Sequence, residues 1–148
     1  MQATTEAAMQ VREGMSATSL TVGPGHTLRE AAEQMHAKRV GSAIVLDPEQ
    51  PGPGLLTERD VLAALGRGLD PDRELVADHL TSDLVFAAPD WSLEQAACEM
   101  VRGGFRHLIV VEGGELVGVL SMRDVVRCWT EDGAVCAVPL AGGAAAAR

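Results

Sequence analysis

Two short stretches carry the groups best suited to chemistry. Thr57-Glu58-Arg59-Asp60 and Ser121-Met122-Arg123-Asp124 each set a hydroxyl three residues before a carboxylate, with an arginine directly before the acid. At a helix start this spacing serves two roles. In one, the hydroxyl caps a free backbone N–H and the acid sits at the positive end of the helix. In the other, the hydroxyl and the unpaired N–H groups hold one phosphate, while the carboxylate accepts both hydroxyls of a ribose. Arg59 and Arg123 are then either solvated side chains or phosphate contacts. Arg39 and Arg106 fall between a helix and the next strand, where a guanidinium can pair with phosphate. His107 opens the run Arg106-His107-Leu108-Ile109-Val110. It is either a strand-end histidine with a satisfied hydrogen bond or part of a pocket.

These stretches belong to a pattern written twice. Val11, Met15, Ser16, Pro24, Thr27, Leu28, Ala31, Ala32, Met35, Ile44 and Val45 return 65 positions later as Val76, Leu80, Thr81, Pro89, Ser92, Leu93, Ala96, Ala97, Met100, Ile109 and Val110. One residue then drops out, and the eight residues from Gly54 to Val61 return at a spacing of 64 as Gly118 to Val125. Two copies are too few for a solenoid or propeller. They predict one compact domain with a pseudo-two-fold axis and equivalent loops around a shared cleft.

The elements that must position these groups follow from periodicity. Met9 to Gly14 reads as a short helix and Leu20 to Val22 as a strand. Thr27 with Glu30 forms a capping box, and Leu28, Ala31, Ala32 and Met35 make the inward stripe of a helix ending near Gly41. Ser42–Leu46 and Gly54–Leu56 read as buried strands flanking a proline-rich loop, and Glu58 to about Arg67 as a helix. After a linker at 68–74 the order repeats. There is a short helix near Val76–Leu80, a strand at Leu84–Phe86 and a helix from Leu93 to about Arg102. Strands at His107–Val111 and Glu115–Leu120 then join through a tight turn at Glu112-Gly113-Gly114, and a last helix runs from Met122 to about Thr130.

Composition narrows the function classes. The net charge of −9 works against non-specific nucleic-acid binding, which needs a positive field, and against an anionic membrane surface. No apolar run reaches the ~18 residues of a membrane span, and the first residues lack the basic flank and apolar core of a signal peptide. Three cysteines, Cys98, Cys128 and Cys136, with no Cys-x-x-Cys, fit a reducing cytoplasm and are expected as small buried or half-buried thiols. His26, His36, His79 and His107 show no metal-binding spacing, and no nucleophile–base pair stands out, so an enzyme is not expected.

Taken in order and written twice, Met15-Ser16, Leu28-x-x-Ala31-Ala32-x-x-Met35, the segment Gly54 to Asp60, the segment Arg106 to Val111 and the segment Gly118 to Asp124 resemble a tandem pair of cystathionine-β-synthase (CBS) domains, or Bateman module. The resemblance covers about residues 9 to 130. It implies an α+β fold of two pseudo-symmetric repeats, each β-α-β-β-α, packed sheet to sheet, with repeats at 9–68 and 74–131. Segments 1–8 and 133–148, low in apolar pattern, read as flexible tails.

The resemblance further implies a non-catalytic regulatory module with no required cofactor. Its ligand would be an adenine nucleotide or adenosyl compound (AMP, ADP, ATP, S-adenosylmethionine or NAD) in the cleft between repeats. The ribose would sit on Asp60 or Asp124 and the phosphate at Thr57 or Ser121, with Arg59, Arg123, Arg106 and His107 nearby. Leu20, Val22 and Val85 would flank the adenine. The first copy departs from the family pattern, with Gly41-Ser42 in place of Arg106-His107. The second copy's pocket is therefore expected to be the more polar, and Asp124 the stronger anchor. The alternative is a structural homodimerisation or protein-interaction module with closed clefts. Either way, the stripes Val61, Leu62, Leu65 and Val125, Val126, Trp129 predict a homodimer joined through helices. No protein partner is named by the sequence.

Overall fold

A computed structural model describes residues 8–17 and 20–131. The tail segments 1–7 and 133–148, with Cys136, lie outside the described residues. The first repeat runs β1 (Thr21–Val22), α2 (Leu28–Lys38), β2 (Ser42–Val45), β3 (Gly54–Thr57) and α3 (Glu58–Gly66), after a one-turn helix α1 (Val11–Gly14). The second runs β4 (Phe86–Ala87), α4 (Leu93–Gly103), β5 (His107–Glu112), β6 (Glu115–Ser121) and α5 (Met122–Glu131). Caps set the helix starts. Thr27 Oγ1 accepts from Glu30 N at 3.2 Å while Thr27 N donates to Glu30 Oε2 at 2.8 Å, the expected capping box. Ser92 caps α4 through Gln95 N at 3.0 Å. Both helices end in a left-handed residue, Arg39 at φ 56° and its equivalent Gly104 at φ 71°.

Each repeat builds one three-stranded sheet, β1-β2-β3 and β4-β5-β6, with the first pair parallel and the second antiparallel. The strands are apolar on both faces because both faces are covered. Ala43, Val45 and Leu56 turn toward α2 and α3, in one core with Leu28, Ala31 and Met35. Leu108, Val110 and Leu120 do the same toward α4 and α5, with Leu93, Ala96 and Met100. The alternate residues Ile44 and Leu55 of one sheet meet Ile109 and Val119 of the other, all 5% exposed or less. The layers are therefore helices, sheet, sheet, helices, the sheet-to-sheet α+β arrangement of two repeats that the sequence implies.

The lead-in segment of each repeat docks on the opposite one. Val11 N donates to the Trp91 carbonyl and Arg12 N to that of Pro89, so α1 packs into the second core. The matching segment before β4 packs into the first core: Val76 N donates to the His26 carbonyl and Thr81 N to that of Leu55. Two glycines make room for the crossing. A Cβ at Gly118 would stand 2.8 Å from the Ser16 carbonyl oxygen, and one at Gly54 would stand 2.8 Å from Leu80.

Some boundaries differ from the sequence expectation. β1 begins at Thr21 and β4 at Phe86, although the carbonyls of Leu20 and Val85 still take ladder bonds from Ile44 N and Ile109 N. The short helix near Val76–Leu80 is a single 3₁₀ turn, Val76–Asp78, because the chain then runs out along β3. The tight hairpin forms as expected, with Gly113 and Gly114 both at positive φ and Glu112 opposite Glu115. Cys128 is buried, but Cys98 is exposed, since it lies off the stripe formed by Leu93, Ala96 and Met100.

Because Ile109 is fully buried in the layer shared by both sheets, Ile109→Ala is expected to cost about 2–5 kcal/mol and to unfold both repeats together. A chemical-denaturation curve with one cooperative transition at a lower midpoint checks this; two separate transitions would contradict it.

Candidate functional site

A cleft opens where the two sheets part, between the start of α3 and the second repeat. Leu55, Leu84, Val85 and Ile109 form its apolar wall; Thr57, Glu58, Arg59, Asp60, Thr81, Asp83, Arg106 and His107 supply its polar groups. β3 passes into α3 with no intervening loop, so Thr57 is both the last strand residue and the helix cap. This sharp junction points Asp60, in the first turn, back at the strand end.

Asp60 is the most closely held of these groups. Its Oδ2 accepts from Thr57 N at 2.7 Å, Thr57 Oγ1 at 2.9 Å and Thr81 Oγ1 at 2.5 Å. Asp60 N in turn donates to Thr57 Oγ1 at 3.3 Å. Its Oδ1 takes no hydrogen bond from the described residues. The carboxylate is thus fixed by one oxygen and offers the other, a geometry that lets it accept polar hydrogens from a bound molecule without losing its place. Thr81 comes from the lead-in segment of the second repeat, so the site exists only because that segment crosses.

Arginines close the rim. Arg59 Nη1 donates across the cleft to the Gly104 carbonyl at 3.2 Å. Its equivalent Arg123 donates at 3.4 Å to the carbonyl of Arg39, the residue equivalent to Gly104. Neither is simply solvated: each reaches the left-handed end of the other repeat's first helix. Arg106 pairs with Glu58 at 3.7 Å on the surface. Arg39 and Arg123 line an adjoining groove with His36 and Glu58. The free space in the Asp60 cleft is about 90 Å³, less than the ~300–1,000 Å³ of small-molecule pockets. An occupant of nucleotide size must therefore displace rim side chains, and the exposed Arg59 and Arg106 are the ones able to swing.

Arg106 and His107 line the cleft that holds Asp60. These two polar residues, expected beside the second copy's acid, thus stand beside the first copy's, because the cleft takes one wall from each repeat. Burial lowers the His107 pKa below the usual 6.5; Arg106 adds to this, while Glu58, Asp124 and Asp60 oppose it.

The second junction repeats the cap but not the open acid. Ser121 N donates to Asp124 Oδ2 at 2.8 Å and Asp124 N to Ser121 Oγ at 3.1 Å. Asp124 Oδ1, however, accepts from Arg127 Nη2 at 3.2 Å. This bond raises the pKa of Arg127 above its already high value. Of the apolar residues expected beside a ligand, Val85 lines the Asp60 cleft, whereas Leu20 and Val22 are buried in the first core. Leu55, Thr81, Asp83, Phe105 and Ile109 also line it without having been singled out as ligand contacts. Thr81 repeats Ser16 at the spacing of 65, but that repetition does not say that its hydroxyl crosses to Asp60.

Among the described residues no helix is long and apolar enough to cross a membrane, and no group of three or more His, Cys, Asp or Glu side chains is placed to hold a metal ion.

With two lobes, crossed lead-in segments and a junction acid in a shared cleft, the chain can be set against known proteins. The CBS domain pattern matches residues 9–67 and 76–131, and the chain belongs to the CBS-domain family. An uncharacterised protein of Methanocaldococcus jannaschii is 37% identical over 122 residues, covering 82% of this chain; the chain spans 43% of that relative's length. A CBS domain protein of Pyrobaculum aerophilum, solved in complex with AMP, is 31% identical with a TM-score of 0.69, covering 78% of this chain and 89% of that one. A hexameric CBS-CP12 protein from bloom-forming cyanobacteria is 25% identical with a TM-score of 0.76, covering 85% of this chain and 76% of that one. CBS-domain pairs are regulatory modules, and this chain is one of that class.

The lowered His107 pKa has a consequence for stability. The unfolded chain takes up the proton first as pH falls, so the contribution of neutral His107 is complete above about pH 6.5 and declines below it toward the folded-state pKa. In denaturation curves between about pH 5 and 8, His107→Gln is expected to flatten the acid side of the stability profile relative to the natural chain.

Proposed function

We propose that this chain senses an adenine nucleotide or related adenosyl compound in the Asp60 cleft, without catalysing a reaction. The observation that carries the reading is Asp60, which lines the cleft with one oxygen locked by three donors while the other takes no hydrogen bond from the described residues. In this reading the adenine lies against Leu55, Leu84, Val85 and Ile109, and the ribose hydroxyls donate to Asp60 Oδ1. The phosphate takes Arg59 from the Gly104 carbonyl, with Arg106 and the Thr57 junction beside it. The complex of the P. aerophilum relative with AMP supports this choice of ligand class. Binding shifts the protein between states only by the ligand's difference in affinity for them; release of the Arg59 bond across the cleft is the local change that would supply it.

The regulated output lies outside the chain's own chemistry. Leu62 and Leu65 on α3 and Met122 and Val126 on α5 are exposed apolar side chains. They support a homodimer joined through these helices, and the cyanobacterial relative, itself a hexamer, is consistent with assembly. A dimer-only role with a closed cleft is the competing reading.

At ~100 times its dissociation constant, AMP is expected to add about 2.7 kcal/mol of stability, or about 5–10 °C in melting temperature. Flat melting curves across AMP, ADP, ATP, S-adenosylmethionine and NAD with ligand-free protein would leave only the dimer reading. Asp60→Asn should weaken binding at least ~10-fold by calorimetry while costing no more than ~1–2 kcal/mol as a lost cap. Light scattering at tens of micromolar should give twice the chain mass, and Leu62→Asp should shift it toward one.

A further inference from the structure

We infer that each chain binds one nucleotide and not two, because Arg127 occupies the second acid. This rests on the proposed reading of the Asp60 cleft. The two junctions differ at one informative position. At the spacing of 64, Arg127 stands where the first copy has Ala63. Ala63 is exposed and too short to reach Asp60. Arg127 folds back one turn and donates from Nη2 both to Asp124 Oδ1 at 3.2 Å and to the Gly14 carbonyl at 3.2 Å. The second acceptor is available because Gly14, unlike the equivalent His79, has no side chain over α5; a Cβ there would stand 2.9 Å from Cys128 Sγ. Two bonds to two different elements fix the guanidinium more firmly than an isolated surface pair, which is worth little.

The open carboxylate oxygen that distinguishes Asp60 is therefore filled at Asp124 by the chain itself. A ribose arriving at Asp124 must displace a guanidinium, a donor of full opposite charge, to gain bonds from uncharged hydroxyls. Among the described residues it also leaves Arg127 with the Gly14 carbonyl and the more distant Glu131, whose Oε2 is 3.9 Å away. The duplicated junction keeps its capping role in both copies but keeps a free acceptor in only one.

Calorimetric titration of the full chain with AMP reads the stoichiometry directly. The natural chain is expected to bind one AMP per chain, lost on Asp60→Asn and retained on Asp124→Asn. Arg127→Ala should add a second, weaker site that Asp124→Asn removes again. Arg127→Met, which keeps the aliphatic stem, gives the same reading if the alanine variant loosens α5. Two sites in the natural chain, or one site in both Arg127 variants, would overturn the inference while leaving the Asp60 reading intact. No binding by natural chain freed of ligand would overturn both.

Discussion

Four side chains, Ile44, Leu55, Ile109 and Val119, form the seam on which the molecule depends. Each belongs to a strand whose other face already serves its own repeat, so burying them is what makes two thin sheets into one protein. At roughly 25 cal/mol per Å² of apolar surface removed from water, such a seam contributes several kcal/mol. It has no hydrogen bonds of its own to enforce a register. That register is fixed instead by the crossing backbone bonds of the lead-in segments. Leu55 and Ile109 also reach the edge of the seam and become the apolar wall of the cleft. The site is thus the uncovered margin of the core, and a shift of one repeat over the other reshapes it directly.

Around that margin the polar groups are arranged by helix termini. Arg59 and Arg123 each reach the carbonyl at the end of the opposite repeat's first helix, where the dipole is negative and the residue left-handed. Arginine is suited to this because its fork spans the gap while remaining charged. In a chain of net charge −9 these guanidinium groups offset part of the negative charge that Glu58, Asp60 and Asp83 bring to the cleft.

Much of this is readable from sequence, and most of what is not depends on contacts between the two repeats. The strands and the capping boxes at Thr27 and the two junctions follow from period, caps and repetition, which are local signals, and the sheet-to-sheet layering from the resemblance to CBS domains. Three things were not local. Nothing in Val11 or Val76 says which repeat will receive it, so the crossing of lead-in segments was invisible. With it went Thr81 as a contact to Asp60 and the assignment of Arg106 and His107 to Asp60 in place of Asp124. The bond from Arg127 to Asp124 was overlooked for another reason: a three-residue spacing between opposite charges is common on helices, and only the open Asp60 beside Ala63 makes it informative. Leu20 and Val22 went to the core because aliphatic strand residues suit a ligand wall and a core equally.

The crossed lead-in segments carry one more consequence. Alone, a single copy would expose the hollow that the other copy's valine, Val11 or Val76, fills, and would carry a valine with nowhere to go. Two unlinked copies can satisfy each other by trading segments, with no new surface required. The smallest self-sufficient unit is therefore a pair, and the linker at 68–74 merely ties together an exchange that two separate chains could make. What completes each copy's core is the reciprocal embrace, and the covalent link only keeps the two copies together.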